Sequence, residues 1–376
     1  MEKEKTKGSK FVKTGLFLLS LVTLLLPSLQ ARLGVIRSKN LDGYFEPVPK
    51  PKASLKTWFS GDYQDQYMKS VEDSVGFHSD FVRIFNQVDY SLFSVPHPEK
   101  VVIGKNRMLF IWNYMMAWLG KGLKGDLYIE ERVRRLKFLQ DELWNRKKIM
   151  LLVVFPPEKA WAYPENIPSR YVAQKRVMGN YECYARKCKK YSINTLDVNK
   201  WFMTARDTSK ELLFPLYGTH WSDYGAWLAA DSMLRFLVNK MDRPFPNLVI
   251  DSIERSAIPR HNDNEISKLM NLIWELPDPV IAHPHLHATF APGVTKPSVL
   301  VIGDSFYWAW EDIGFMEAAF GDRQFWYYDK DIYPYGASGN KKAPDLDLIS
   351  EVEKRDVIII IQVCGGVGDM GNGFID

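Results

Sequence analysis

Hydrophobic and polar positions change their period several times along the chain, and each change marks an element. From Asp126 to Arg146 the apolar residues Val133, Leu136, Leu139 and Leu143 recur at helical spacing. The period then collapses into an unbroken apolar run over 149–155, which predicts a strand buried on both faces. A helix feeding such a strand is the signature of a parallel sheet. The alternation continues with a helical segment over 170–190, a strand near 193–198 and a helix over 222–239. A strand at 298–302, a helix over 306–320 and strands at 324–328 and 357–363 complete it. The pattern predicts an α/β layered domain over 100–376, without internal repeats.

Residues 32–99 read differently. They are polar, are interrupted by Pro47, Pro49, Pro51, Pro96 and Pro98, and hold one amphipathic stretch over 80–93, so they are expected to form an extended lead and a helical arm. Ahead of them Lys3, Lys5, Lys7, Lys10 and Lys13 precede an apolar run over 16–31 that Arg32 closes. Residues 1–31 are therefore expected to be a signal anchor or a signal peptide. As a helix the run reaches about 24 Å, short of a hydrocarbon core of about 30 Å, unless Phe11 and Val12 join it while Lys13 snorkels. Leu29 two residues before Ala31 makes a poor cleavage site. Under either outcome the remaining chain lies outside the cytoplasm, on the periplasmic or cell-surface side.

The composition, with 46 % hydrophobic and 25 % charged residues among 376, is that of a folded globular chain and excludes a disordered one. A net charge of only +4, part of it in the first thirteen residues, leaves no basic face for nucleic acid. Cys183, Cys188 and Cys364 permit at most one internal disulfide, Cys183 with Cys188, and plain buried thiols serve the pattern equally well.

Candidate chemistry begins where the strand at 298–302 runs into Gly303-Asp304-Ser305. A serine at a strand-to-helix turn projects its hydroxyl above the sheet, and amides of the first helical turn can receive an oxyanion. Asp304 or Ser305 capping the helix is the plainer alternative. A serine hydroxyl needs a base, and His220 stands in a turn-like segment just before a helix. His283, His285 and His287 alternate, which places all three on one strand face, exposed or metal-binding. Trp221 either stacks on a sugar ring or packs its loop against the sheet.

His220-Trp221-Ser222 with Gly225-Ala226, ahead of a strand-borne Gly-Asp-Ser, resembles the alginate O-acetyltransferase family with its SGNH-hydrolase-like domain. Pro156-Pro157-Glu158-Lys159 and Tyr163-Pro164-Glu165 after the first strand, and Gly104-Lys105 with Leu109-Phe110, are similar to further motifs of that family. The resemblance spans about residues 55–376. It implies an SGNH-like parallel sheet flanked by helices with the motif order permuted, histidine before serine. It implies that Ser305 is acylated and His220 is its general base, with Asp304 and Trp221 in support and neither metal nor cofactor. It also implies an exported polysaccharide as acceptor and an integral membrane acyltransferase as the relay supplying acetyl groups.

One position departs from the family pattern. The aspartate expected two residues before the histidine is Gly218 here. Asp223, Glu165 or a backbone carbonyl are the candidates to orient the imidazole instead. The departure keeps a non-catalytic glycan-binding subunit open, beside a carbohydrate esterase using the same residues.

Overall fold

The computed structural model describes residues 2–43, 48–334 and 341–376, with side chains from residue 11 onward. Pro47 lies outside the described residues. Two compact units divide the chain: one runs to His97 and takes in Lys268–Glu275, the other comprises Pro98–Ser267 and Leu276–Asp376.

The first unit is helical. Its N-terminal helix spans Glu2–Leu33, of which Phe11–Leu33 is long and apolar enough to cross a membrane. Helices Leu55–Ser60, Asp62–Ser74 and His78–Phe93 follow.

Among the described residues the second unit contains ten strands: β1 (Val101–Ile103), β2 (Leu109–Ile111), β3 (Met150–Phe155), β4 (Thr195–Asp197), β5 (Asn247–Ser256), β6 (Ile281–Thr289), β7 (Val299–Gly303), β8 (Arg323–Tyr327), β9 (Asp331–Tyr333) and β10 (Val357–Ile361). Six of them form one sheet in the order β4-β3-β10-β7-β8-β9, parallel except for the antiparallel edge pair β8-β9. Because side chains alternate across a strand, the continuous apolar runs serve two cores at once. Leu151, Val153, Ile358 and Ile360 face the helices Asp126–Lys147 and Asn180–Lys190. Leu152, Val154, Val301 and Ile359 face the helix Asp223–Met241 and the residues after Ser305. The α/β class and the helix-flanked parallel sheet are those the pattern predicts.

Several elements differ from expectation. The segment expected as one helix over 306–320 is a 3-10 turn, Ser305–Tyr307, and two short helices, Trp308–Asp312 and Phe315–Ala319. Gly314, with φ +72, breaks it. The stretch over 170–190 is likewise two helices, Ser169–Val172 and Asn180–Lys190. β5 and β6 pair as an antiparallel ladder with an irregularity between Ile250 and Ser252. On β6, His285 and His287 are exposed while His283 is buried, so the three histidines do not share one exposed face. Cys183, Cys188 and Cys364 are free, buried thiols.

Candidate active site

Ser305 leaves the carboxyl end of β7, a central strand flanked by β10 and β8, where ligands of parallel sheets gather. The turn needs the glycine before it. A Cβ on Gly303 would stand 2.0 Å from the Ile361 carbonyl oxygen of β10, so the two strand ends meet only because no side chain is there. Asp304 fixes the turn from within. Its Oδ1 accepts from Phe306 N (3.1 Å) and its Oδ2 from Val363 N (2.7 Å), which ties the end of β7 to the segment leaving β10. Burial pushes the Asp304 carboxyl up to about 6, against these two hydrogen bonds and the His220 imidazole. The Phe306 amide is thus committed to Asp304 Oδ1, and the Tyr307 amide donates to the Asp304 carbonyl, so neither is an unoccupied oxyanion donor as the sequence suggested.

His220 reaches Ser305 from 85 positions away in the chain, its Nε2 lying 2.9 Å from Ser305 Oγ. Two devices hold its loop. On the far side Ser222 caps the helix Asp223–Met241, accepting from Gly225 N (3.0 Å). On the near side the Leu216 carbonyl accepts from Leu109 N (3.1 Å) and from Lys159 Nζ (3.0 Å), and the same ammonium also donates to the Leu109 carbonyl (3.2 Å). Burial pulls the Lys159 pKa down to about 7, with Glu158 and Glu265 opposing it. The Pro-Pro-Glu-Lys motif therefore supplies a clamp on the loop that carries the histidine.

Behind the imidazole lies a packed aromatic wall. Phe306 tilts against His220 with centroids 4.6 Å apart, and Trp221 contacts both Phe306 and Trp310. Trp221 is only 2 % exposed, so of its two expected roles the structure matches packing.

The group that orients His220 is one the sequence reading missed. Glu265, in the short helix Glu265–Leu269, places Oε1 2.6 Å from His220 Nδ1. The same oxygen accepts from the amides of Thr219 (2.7 Å) and His220 (3.3 Å). Burial pushes this carboxyl up, but the imidazole and the amide donors outweigh it and hold the pKa below the ordinary carboxylate range. Glu265 is an anion aimed at Nδ1, which leaves Nε2 facing the serine hydroxyl.

Neither named substitute for the missing aspartate has that place. Asp223 accepts from the buried His283 Nδ1 (2.7 Å) and from the exposed His261 Nδ1 (3.1 Å), a separate pairing, and Glu165 pairs with Arg206 (2.8 Å). No motif spacing betrays Glu265, which lies 45 residues beyond His220 on the far side of β5. The only pointer in the sequence is negative, the glycine at position 218.

Serine, imidazole and carboxylate in line can deprotonate the hydroxyl, hold the resulting imidazolium and return its proton to a leaving group, which is the equipment of acyl transfer.

Among solved structures, the chain is similar to the O-acetyltransferase domain of Pseudomonas putida AlgJ, at 13 % identity over 70 % of this chain and 91 % of that one, with a TM-score of 0.46. It is also similar to Pseudomonas aeruginosa AlgX, at 15 % identity over 73 % of this chain and 65 % of that one, with a TM-score of 0.48. For Bacillus cereus PatB1 the identity is 10 % over 73 % and 98 %, with a TM-score of 0.43. No curated protein matches the chain by sequence. Residues 101–255, which include His220 and end before Glu265 and Ser305, match the family described as the SGNH hydrolase-like domain of acetyltransferase AlgX, the family that the sequence motifs resemble.

Proposed function

We propose that the protein is an extracytoplasmic O-acetyltransferase that moves an acetyl group through Ser305 onto an exported polysaccharide. The observation that carries this reading is the line Ser305 Oγ, His220 Nε2, His220 Nδ1 and Glu265 Oε1, with separations of 2.9 and 2.6 Å, in a chain whose residues 101–255 match an acetyltransferase family.

In the first half-reaction Ser305 Oγ attacks the acetyl carbonyl of a donor while His220 Nε2 takes the hydroxyl proton. The tetrahedral adduct collapses as His220 protonates the leaving group, leaving an acetyl ester on Ser305. In the second, a sugar hydroxyl gives its proton to His220 and attacks that ester. The acetylated sugar leaves, and the proton returns to Ser305 Oγ. Glu265 stays ionised and holds Nδ1–H throughout. By analogy with the family, the donor is an integral membrane acyltransferase that relays acetyl groups across the bilayer, and the N-terminal helix keeps the protein beside it. The Glu265 contact weakens the case for a non-catalytic subunit, which rested on Gly218.

The test is to incubate the protein with a chromogenic acetyl ester, with and without oligosaccharide, and to search for an acetyl adduct on Ser305 by mass spectrometry. Acetylated sugar together with the adduct is the expected result. Free acetate alone indicates a carbohydrate esterase. Full activity in Ser305→Ala or His220→Ala overturns the mechanism.

A further inference from the structure

The helix His78–Phe93 carries its amphipathicity inside out. Phe81, Ile84, Phe85, Val88 and Leu92 fall at i, i+3, i+4, i+7 and i+11, a single stripe, and every one of them is exposed, Phe85 by 58 % and Leu92 by 70 %. The opposite stripe of Arg83, Asn86 and Gln87 is buried, each residue being at most 8 % exposed.

That burial has a specific cause. Arg83 donates to the carbonyls of Lys39 (2.8 Å) and Asn40 (2.7 Å), Asn86 donates to the Met270 carbonyl (2.9 Å), and Gln87 Oε1 accepts from Trp274 N (3.1 Å). The polar face is used to bind backbone, so the helix cannot roll to hide its apolar face without leaving those buried groups unsatisfied. The outward direction of the stripe is fixed by hydrogen bonds.

What covers the stripe is indicated by its neighbour. A Cβ on Gly76, in the turn just ahead of this helix, would stand 2.2 Å from the Pro27 carbonyl oxygen and 2.7 Å from Ala31 N. The turn is thus seated on the last turns of Phe11–Leu33, the one helix among the described residues with the length and hydropathy of a membrane span. The arm helix therefore begins beside the end of that apolar helix.

We infer that the stripe from Phe81 to Leu92 is an interfacial anchor, lying in the headgroup and acyl boundary of the bilayer that the N-terminal helix enters. This rests on the membrane-side location proposed above. The helix carries Asp80, Arg83 and Asp89 as its charged residues, and Arg83 is consumed internally, so insertion is apolar and does not depend on anionic lipid. The device fixes the height and orientation of the arm above the membrane, which a single flexible tether does not.

The experiment uses the full chain in phosphatidylcholine vesicles, carrying Phe85→Cys or, separately, Val88→Cys labelled with an environment-sensitive fluorophore. The native thiols are buried, so labelling is selective. The expected result is blue-shifted emission, quenching by doxyl-labelled lipid and protection from iodide, all unchanged by high salt. Labels at both positions that iodide quenches and doxyl lipid does not would overturn the inference and leave a protein partner as the covering surface. Acetyl-ester turnover is read on the same vesicles. Activity with an unprotected label sinks the anchor alone, and a protected label without activity sinks the proposed function alone.

Discussion

Gly218 lies directly beneath the carbonyl of Asn262. A Cβ at position 218 would stand 2.0 Å from that oxygen, inside any permitted contact with backbone, and a tight 3.0 Å from the Asp263 carbonyl oxygen. The space that a side chain at 218 would take is filled by the segment that leads into Glu265, and Ile266 N donates to the Tyr217 carbonyl (3.0 Å) to join the two strands of chain. The glycine and the distant glutamate are one arrangement. Gly218→Ala is therefore expected to lower stability by roughly 1–3 kcal/mol, the usual range for overpacking, and to lower kcat by displacing Glu265. Gly218→Asp in a Glu265→Ala background is expected not to restore activity, because the aspartate has no room. Thermal melts and acetyl-ester turnover on the three variants check both statements.

Glu265→Ala removes the anion from Nδ1 and the acceptor from two amides. Loss of an orienting carboxylate leaves the imidazole free to take the wrong tautomer, and a fall in kcat of about 10³ to 10⁴ is expected, with KM for a small ester nearly unchanged. Glu265→Gln keeps an acceptor for the amides of Thr219 and His220 while losing the charge, so it should fall between wild type and alanine. A purely structural role would instead appear as a lowered melting temperature at full kcat.

Trp221 is packed in the core against Phe306 and Trp310. Trp221→Ala is expected to cost about 3–5 kcal/mol, as large-to-small changes in packed cores do. Trp221→Phe should cost under about 1.5 kcal/mol, because among the described residues the buried indole N–H has no hydrogen-bond partner to lose. Oligosaccharide KM for the phenylalanine variant should match wild type. A selective rise in that KM would show that the ring touches sugar.

The sheet was readable because its central strands are continuous apolar runs, and only strands covered on both faces need residues such as those of β3 and β10 to be apolar at every position. Ser305 and His220 were readable because each stands next to an element boundary that punctuates the pattern. Glu265 was not, since its approach depends on steric space at Gly218 and on a backbone bridge from Ile266 to Tyr217, neither of which leaves a periodic trace. The helix over 306–320 failed for a simpler reason, a left-handed turn at Gly314 inside an otherwise apolar stretch. The amphipathic arm helix was visible as a pattern, but periodicity says which residues share a face and not which face turns inward. Hydrogen bonds that Arg83 and Asn86 donate to distant carbonyls, and that Gln87 accepts from the Trp274 amide, settle that.

Asp304 connects the site to the pH dependence of stability. Its carboxyl is pushed from 3.8 up to about 6 by burial, so the folded chain holds a proton that the unfolded chain has already lost between those values. Where the native state binds more protons, stability falls as pH rises. From this group alone, wild-type stability should decline between about pH 4 and pH 6 and level off above, by about 3 kcal/mol at 1.36 kcal/mol per unit. Asp304→Asn removes the titration and one of two acceptors for the amides of Phe306 and Val363, so it should begin less stable at pH 4 by about 1–3 kcal/mol and decline less steeply towards pH 6. Urea midpoints measured on both proteins across that window give the comparison, since other buried groups such as Glu158 titrate equally in each. Parallel curves for wild type and variant would mean that Asp304 does not carry this proton, and that its part in holding Ser305 is independent of pH.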